Sequence, residues 1–466
     1  GGMQYEDRDL RLAQVTGRYL LGSLELPFQA ANQLSAGSRQ RVRVFGGYVQ
    51  EEVLLFDERL SLTASLRGDR SSNNADTDKY YYYPKAAVAF SVPGSYGPLD
   101  QLKLRSAYGS SGNEPLYAQK YTPLSVSNTE GNPQLTINGA IGSATLRPER
   151  VTELEGGFDA TLFGRRAQLA VTLYNRNITQ LLLSRTLAQS SGFTTEFFNG
   201  GEMQSRGVEV SLEGSPVQRG NFQWNTTTTF SHNRTEITDL PVPEFSAGNS
   251  FGNSYGSYRI RKGYSPTTVF ANNGRDEKGA LIVAPIGESE PDFQVGFLND
   301  VQFGRFRVSS LFDWSKGGLV VNLTRNYYDG AATAADYDAP SNLARKPNGD
   351  LAESRPFSEC GPTCLSGEER LFLFAAPNNL PVYIEDGSFV KLRELALSYD
   401  IPARVLGGRV RGAQLQLAGR NLKTWTDYSG YDPEVSNFGN VSAGRNQDVT
   451  PFPPSRVYSL GVNLEF

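Results

Sequence analysis

Residues able to do bond chemistry are scarce. The 466-residue chain contains one histidine, His232, and two cysteines, Cys360 and Cys364. Zinc sites and imidazole-based acid–base catalysis draw on more such groups than this. Cys360 and Cys364 enclose Gly-Pro-Thr, and outside the cytoplasm such a pair can close a small disulfide. Free thiols are the alternative, and a metal pair would need two further ligands that do not lie nearby. GxSxG, HExxH, P-loop and CxxC patterns are missing. On a strand, Glu153 and Glu155 would share a face roughly 6–7 Å apart. That spacing could suit a glycosidase, but similar pairs decorate any charged strand. Asp76-x-Asp78 and Asp336-x-Asp338 begin like calcium loops, yet neither continues with the Gly and terminal Glu that such a loop needs. The expectation is a protein that is not an enzyme and has no catalytic residue, no metal site and no cofactor.

Binding chemistry is better represented. Tyr255 and Tyr258 follow a Gly/Ser/Asn-rich stretch, and Tyr327, Tyr328 and Tyr337 sit near Asp329, Asp336 and Asp338. Trp425, Tyr428, Tyr431 and Asp432 cluster in the last long connection. Aromatic faces beside hydrogen-bonding groups suit sugars and peptides, which present both apolar and polar surface. Tyr255, Tyr258, Tyr327, Tyr328, Trp425, Tyr428 and Tyr431 are therefore the candidate ligand contacts. The same composition also fits an interfacial aromatic belt.

The elements that would carry these residues alternate with period two almost throughout. Leu60, Leu62, Ala64 and Leu66 alternate with Ser61, Thr63, Ser65 and Arg67. Leu154, Phe158, Ala160 and Leu162 alternate with charged and polar residues, as do Val208, Val210 and Leu212. Phe222, Trp224, Thr226 and Thr228 continue the pattern. The last strand sets Tyr458, Leu460, Val462, Leu464 and Phe466 against Ser459, Gly461, Asn463 and Glu465. Short connections, near 57–59, 93–99, 164–166, 215–220, 304 and 402–409, alternate with long ones. The long ones fall near 73–79, 114–148, 187–195, 235–258, 317–387 and 426–454.

Mean hydropathy is negative, and no stretch approaches the ~18–20 apolar residues of a membrane helix. A barrel strand averages out in the same way, because lipid-facing and lumen-facing residues alternate. Tyr (23) and Phe (26) are plentiful, as two interfacial girdles require. A net charge of −4 leaves no basic footprint for nucleic acid. These features predict an all-β fold, a transmembrane antiparallel β-barrel with about 14–16 strands in this chain. Short turns would lie on the periplasmic rim and long loops on the extracellular one. Arg67, Asp69, Glu153, Glu155, Asp159, Glu209, Glu213, Gln414, Gln416 and Arg420 would face a wet lumen. A soluble β-sandwich or propeller would also alternate, but it accounts poorly for strand length and loop asymmetry.

Several segments resemble the C-terminal barrel region of SusC/RagA-type TonB-dependent receptors. They are YVQEEVLLFDERLSLTASLRGDRSS (48–72), LKLRSAYGSSGNEP (102–115), the stretch 146–183, and 199–209. DGSFVKLRELALSYDIP (386–402) and GRNLKTWTDYSGYDPEVS (419–436) are the most telling. Their order matches the family from about residue 40 to Phe466. The resemblance implies that 41–466 is the C-terminal part of a barrel of about 22 strands, that 1–40 is an uncertain opening strand and loop, and that the plug domain and TonB-contacting box are not in this sequence. No secretory signal opens the chain, so a fragment is expected.

The implied function is TonB-energised uptake of oligosaccharides or peptides through the bacterial outer membrane. The implied partners are outer-membrane lipid, a SusD-like lipoprotein, TonB through the N-terminal part, and the glycan or peptide ligand. Ser459, Gly461, Leu464 and Phe466 resemble the signal read by the barrel-assembly machinery. The competing functions are a passive porin-like channel or surface-binding barrel, and a soluble β-rich binding protein.

Overall fold

The structure, a computed structural model, describes residues 1–466 except 21, 23–25, 130, 131, 138, 248, 249, 339–364, 403, 405, 407–409, 439–443 and 466. Cys360, Cys364 and Phe466 lie outside the described residues.

The strands run in chain order as β1 (Gly2–Arg18), β2 (Asn32–Leu55), β3 (Leu60–Ser71), β4 (Tyr81–Val92) and β5 (Leu99–Asn113). Three short strands follow, β6 (Leu124–Thr129), β7 (Asn132–Ile137) and β8 (Ala140–Ile141), and then β9 (Glu149–Leu162) and β10 (Ala167–Thr179). After β11 (Leu182–Thr186) and β12 (Thr195–Asn199) come the long β13 (Glu202–Arg219) and β14 (Phe222–Asp239). Next are β15 (Phe245–Ala247), β16 (Ser257–Ile260), β17 (Thr268–Arg275), β18 (Leu281–Glu288), β19 (Pro291–Phe303) and β20 (Phe306–Gly317). The last part holds β21 (Leu319–Asn322), helices α1 (Leu323–Gly330) and α2 (Gly367–Phe374), β22 (Ile384–Asp386), β23 (Phe389–Ile401), β24 (Gly412–Thr426), β25 (Gln447–Asp448) and β26 (Val457–Glu465). No described helix is long and apolar enough to cross a membrane, which says nothing of strands.

Among the described residues fourteen strands belong to one sheet, at the lower end of the expected range. The chain divides into two compact units, Gly1–Ala89 with Ser106–Leu154 and Arg176–Glu202, and Phe90–Arg105 with Glu155–Asn175 and Met203–Phe466.

In the second unit the order is β13-β14-β19-β20-β23-β24-β26. Its register explains the alternation. Phe222, Phe303, Phe306, Tyr399, Leu415 and Val462 lie opposite one another across six strands, and Trp224, Val301, Val308, Leu397, Leu417 and Leu460 form a second such row. Between them, on the opposite face, run Gln223, Gln302, Arg307, Ser398, Gln416 and Gly461. Most of the apolar rows are solvent-exposed, including Phe303, Phe306, Leu417 and Leu460. Contiguous exposed apolar surface of this extent demands a non-aqueous neighbour, and side chains of period two place it on one face. The polar face carries its own pairings, Arg420 with Glu394 and Gln414 with Asp400.

In the first unit β1-β2-β3-β4 follow in order. Val49 faces Leu66 and Val53 faces Leu62 on one side, while Tyr48 faces Arg67 and Gly46 faces Asp69 on the other. Arg67 hydrogen-bonds Asp69 and Gln4 on that polar side.

Some boundaries differ from expectation. Among the described residues of 1–40, Gly2–Arg18 form β1 and Asn32 onward forms the first part of β2, paired from Gly2↔Tyr48 to Arg18↔Asn32. β2 thus runs through position 40 without a break. Its alternation is weak there because the residues of both faces are exposed and mostly polar, so neither face is marked by apolar side chains. The connection expected at 215–220 is tighter: β13 continues through Arg219, and Gly220 turns the chain with φ of 56°, a conformation that costs glycine little. β14 extends to Asp239, past the expected loop start at 235. His232 sits within this strand, its Nδ1 against the Asp292 carbonyl.

Candidate functional site

The described parts of the second unit's long connections are folded. β15-β16-β17-β18 make a separate four-stranded sheet, and β22-β21-β25 make a three-stranded one. The two share a core of Tyr258, Val269, Ala271, Val321, Leu323 and Ile384. A second cluster joins Leu365, Leu373, Val382 and Tyr383.

Helix α1 starts where β21 ends because Asn322 caps it, its side-chain oxygen accepting from the Arg325 backbone N–H at 2.9 Å. Helix α2 starts with a capping box, in which Ser366 and Glu369 satisfy each other's backbone N–H groups. The two helices are clamped by charge. The buried Arg370 guanidinium donates to both oxygens of buried Asp329 at 2.7 Å, and to Asp336 at 2.9 and 3.0 Å. The Tyr383 hydroxyl adds a third donor to Asp329 at 3.0 Å. Burial alone would lower the Arg370 pKa, but the two carboxylates outweigh it and hold the guanidinium charged. Hydrogen bonds from Arg370 pull the Asp336 carboxyl down to about 2. Burial, then Asp329, pushes the Tyr383 hydroxyl well above its usual range.

The last long loop is tied in similarly. Buried Glu385 accepts from Asn322 Nδ2 at 3.0 Å, from Ser429 Oγ at 2.7 Å and from the Ser429 N–H at 2.9 Å. The Tyr428 hydroxyl donates to Asp448 at 2.5 Å, and Thr324 donates to the other oxygen of that carboxylate. Burial, with Asp448 beside it, raises the Tyr428 pKa.

On this scaffold lies a cleft of about 420 Å³ lined by Asn322, Arg325, Tyr328, Asp336, Ser429 and Tyr431, among others. Tyr328 and Tyr431 are exposed, and a hydrogen bond between their hydroxyls raises the Tyr328 pKa. Arg325 and Asp336 form an ion pair at 3.1 Å along the wall. The cleft thus offers two aromatic rings, a guanidinium, a carboxylate, an amide and hydroxyls. That set can stack on an apolar face and hydrogen-bond donors and acceptors around it. Among the described residues no group of three His, Cys, Asp or Glu could hold a metal ion.

The seven aromatic candidates separate into distinct roles. Tyr328 and Tyr431 meet in the cleft. Tyr327 is exposed on α1. Tyr255 packs on the core and on Phe374, ring centres 5.1 Å apart. Tyr258 is fully buried and donates to the Arg445 carbonyl, and Tyr428 is buried against Asp448, so both are framework rather than accessible surface. Trp425 lies in β24 opposite Val390, near the end of the strand. Ser459, Gly461 and Leu464 lie in β26, paired with Ala418, Gln416 and Ala413. Sequence reasoning missed Arg370 and Glu385. No local pattern marks them, because their partners lie 41 and 63 residues away. Asp336 and Asp76, which open the two calcium-like spacings, instead hold Arg370 and cap the backbone N–H groups of Asp78 and Lys79.

Residues 5–422 match the family described as TonB dependent receptor-like, beta-barrel. The chain is 28% identical over 465 residues to TonB-dependent receptor P26 of Formosa agariphila, covering 88% of this chain and 45% of that protein. It is 22% identical to TonB-dependent receptor SusC of Bacteroides thetaiotaomicron, covering 88% of this chain and 42% of SusC. Among solved structures, the RagAB peptide importer in its closed-closed state superposes with a TM-score of 0.75 at 20% identity, covering all of this chain and 53% of that one. The chain therefore spans about half the length of the relatives it matches. The exposed apolar rows are the lipid-facing surface that such a barrel requires, and the chain belongs to the TonB-dependent receptor-like β-barrel family of the bacterial outer membrane.

Proposed function

We propose that this chain forms part of an outer-membrane importer of the SusC/RagA type, energised by TonB and taking up oligosaccharides or peptides with a SusD-like lipoprotein. Its sheet supplies barrel wall, and its folded loop layer supplies ligand contacts through Tyr328 and Tyr431. The plug and the TonB-contacting segment come from other parts of the receptor. Ser459, Gly461, Leu464 and Phe466 guide insertion by the assembly machinery. No bond is made or broken by these residues. The observation that carries the reading is the two-faced register, with its exposed apolar rows and its polar opposite face, joined to the family match. One structural relative is named a peptide importer, which supports the peptide class.

The test is uptake by cells carrying the full-length gene. Labelled oligosaccharide or oligopeptide should enter wild-type cells and fail to enter when TonB is deleted. Entry that continues unchanged without TonB would replace this reading with a passive channel.

A further inference from the structure

The apolar face of the first unit has a hollow. Gly47 lies opposite Gly68, and Met3 lies opposite Gly47. Two adjacent glycines remove the side chains that would fill this face. The surrounding rows are intact, with Val49 and Leu66 on one side and Tyr5, Phe45 and Arg70 on the other. Tyr82 and Tyr80 close the flank, lying 3.1 and 3.7 Å from where a Gly68 Cβ would stand. The result is a groove of about 630 Å³ with an apolar and aromatic lining.

Its depth can be placed. The run from the Leu55 row beside the short turn to the Phe45 row rises about 33 Å along the strand. At the usual tilt this spans about 25 Å, the height of the apolar band of an outer-membrane barrel. Phe45 and Tyr80, packed edge to face at 6.4 Å, thus mark the long-loop edge of that band. Arg70 sits over both rings, 5.7 and 5.5 Å from their centres.

Beyond that edge the same face turns cationic. Arg43, Arg41 and Arg39 of β2 lie opposite Asp7, Asp9 and Arg11 of β1. Arg41 and Arg39 are held by bidentate bonds to Asp7 and Asp9. Arg43 has only a 3.5 Å approach to Asp7, and its side chain is 53% exposed. With Arg70, five arginines stand against Asp7, Asp9 and Asp78, leaving a positive surplus at headgroup level.

We propose that this groove binds a phosphorylated lipid of the leaflet on the long-loop side. An acyl chain lies across Gly47 and Gly68, and the phosphate is held by Arg43 and Arg70. Guanidinium groups match phosphate oxygens in charge and fork geometry, and a hollow between rings accepts a methylene chain that a flat wall would not. The proposal rests on the barrel reading for the lipid environment.

The test is native mass spectrometry of the full-length receptor in detergent, titrated with dioleoyl phosphatidylglycerol, dioleoyl phosphatidylcholine and inorganic phosphate. The wild type should retain the glycerol lipid at least about fivefold better than the choline lipid, a difference of about 1 kcal/mol. Arg43→Gln with Arg70→Gln should abolish the preference. Gly47→Leu, where a Cβ meets nothing closer than 3.7 Å, should fill the hollow and weaken retention of both lipids. Equal retention of the two lipids, or a preference that survives the double variant, would overturn the proposal. So would complete displacement by inorganic phosphate, which would mark a free-anion site. Heat-modifiable migration in detergent gels reports separately on the barrel. Its absence in the wild type would sink the barrel reading and the proposal together, whereas its presence with indifferent lipid binding sinks the proposal alone.

Discussion

Lys391 Nζ lies 2.6 Å from Asp432 Oδ1, and both side chains are buried. The contact joins β23 to the last long loop across 41 residues. Glu434 extends it, accepting from both Lys391 and Arg393, and Arg393 also reaches Asp313 of β20. Burial alone would raise the Glu434 pKa, but these cations more than offset it and keep the carboxylate charged. The two segments that most resemble the SusC/RagA pattern, 386–402 and 419–436, thus meet through their own charged residues.

Removing one member of such a pair should be worse than removing both. Lys391→Met leaves Asp432 buried without its cation and should cost about 3–5 kcal/mol, whereas Lys391→Met with Asp432→Leu should recover much of that loss. Hydrogen exchange of residues 427–437 in the purified receptor measures it. Equal protection in the single variant and the wild type would show that the pair does not hold this loop.

The clamp between α1 and α2 should loosen in acid. Asp336 has its folded pKa lowered from 3.8 to about 2. A depressed carboxylate contributes stability above its unfolded pKa and loses it as pH falls through the folded one. Protection of residues 323–330 and 367–374 should therefore hold down to about pH 4 and fade toward pH 2. Asp336→Asn should lack this window. A protection profile flat from pH 5 to 2 in the wild type would argue against the linkage.

Tyr328 and Tyr431 should affect ligand affinity without affecting the fold. Each change to alanine should weaken binding of a transported oligosaccharide or peptide about tenfold, or about 1.4 kcal/mol. Tyr428→Phe should do the reverse. It should lower loop stability by about 1.5–3 kcal/mol, since its hydroxyl serves a charged acceptor, while leaving the cleft rings in place. Calorimetric titration and thermal unfolding separate the two outcomes.

The faces of β24 should respond oppositely to charge. Leu417→Arg puts a guanidinium into the exposed apolar row and should destabilise the inserted protein by about 2–4 kcal/mol near the midplane. Gln416→Arg, one residue away on the polar row, should be nearly silent. Equal losses in detergent-gel folding assays would contradict the assignment of faces.

Much of this architecture is present in the order of the residues alone. Period-two alternation assigns faces because a strand turns successive side chains to opposite sides, and this holds from Leu60 to Leu66 and from Tyr458 to Leu464 without reference to any partner. The turn at Gly304 is equally local. What depends on long-range contact could only come from tertiary structure. The sequence shows a tyrosine at 258, 328, 428 and 431 alike. Only packing buries Tyr258 and Tyr428 as framework and leaves Tyr328 and Tyr431 together at a cleft. Likewise Arg370 reads as a surface arginine until Asp329 and Asp336 surround it. Gly47 and Gly68 read as weak strand positions until register sets them side by side. Alternation is a property of one strand, whereas sites arise from register and loop packing, which join residues that no local pattern links.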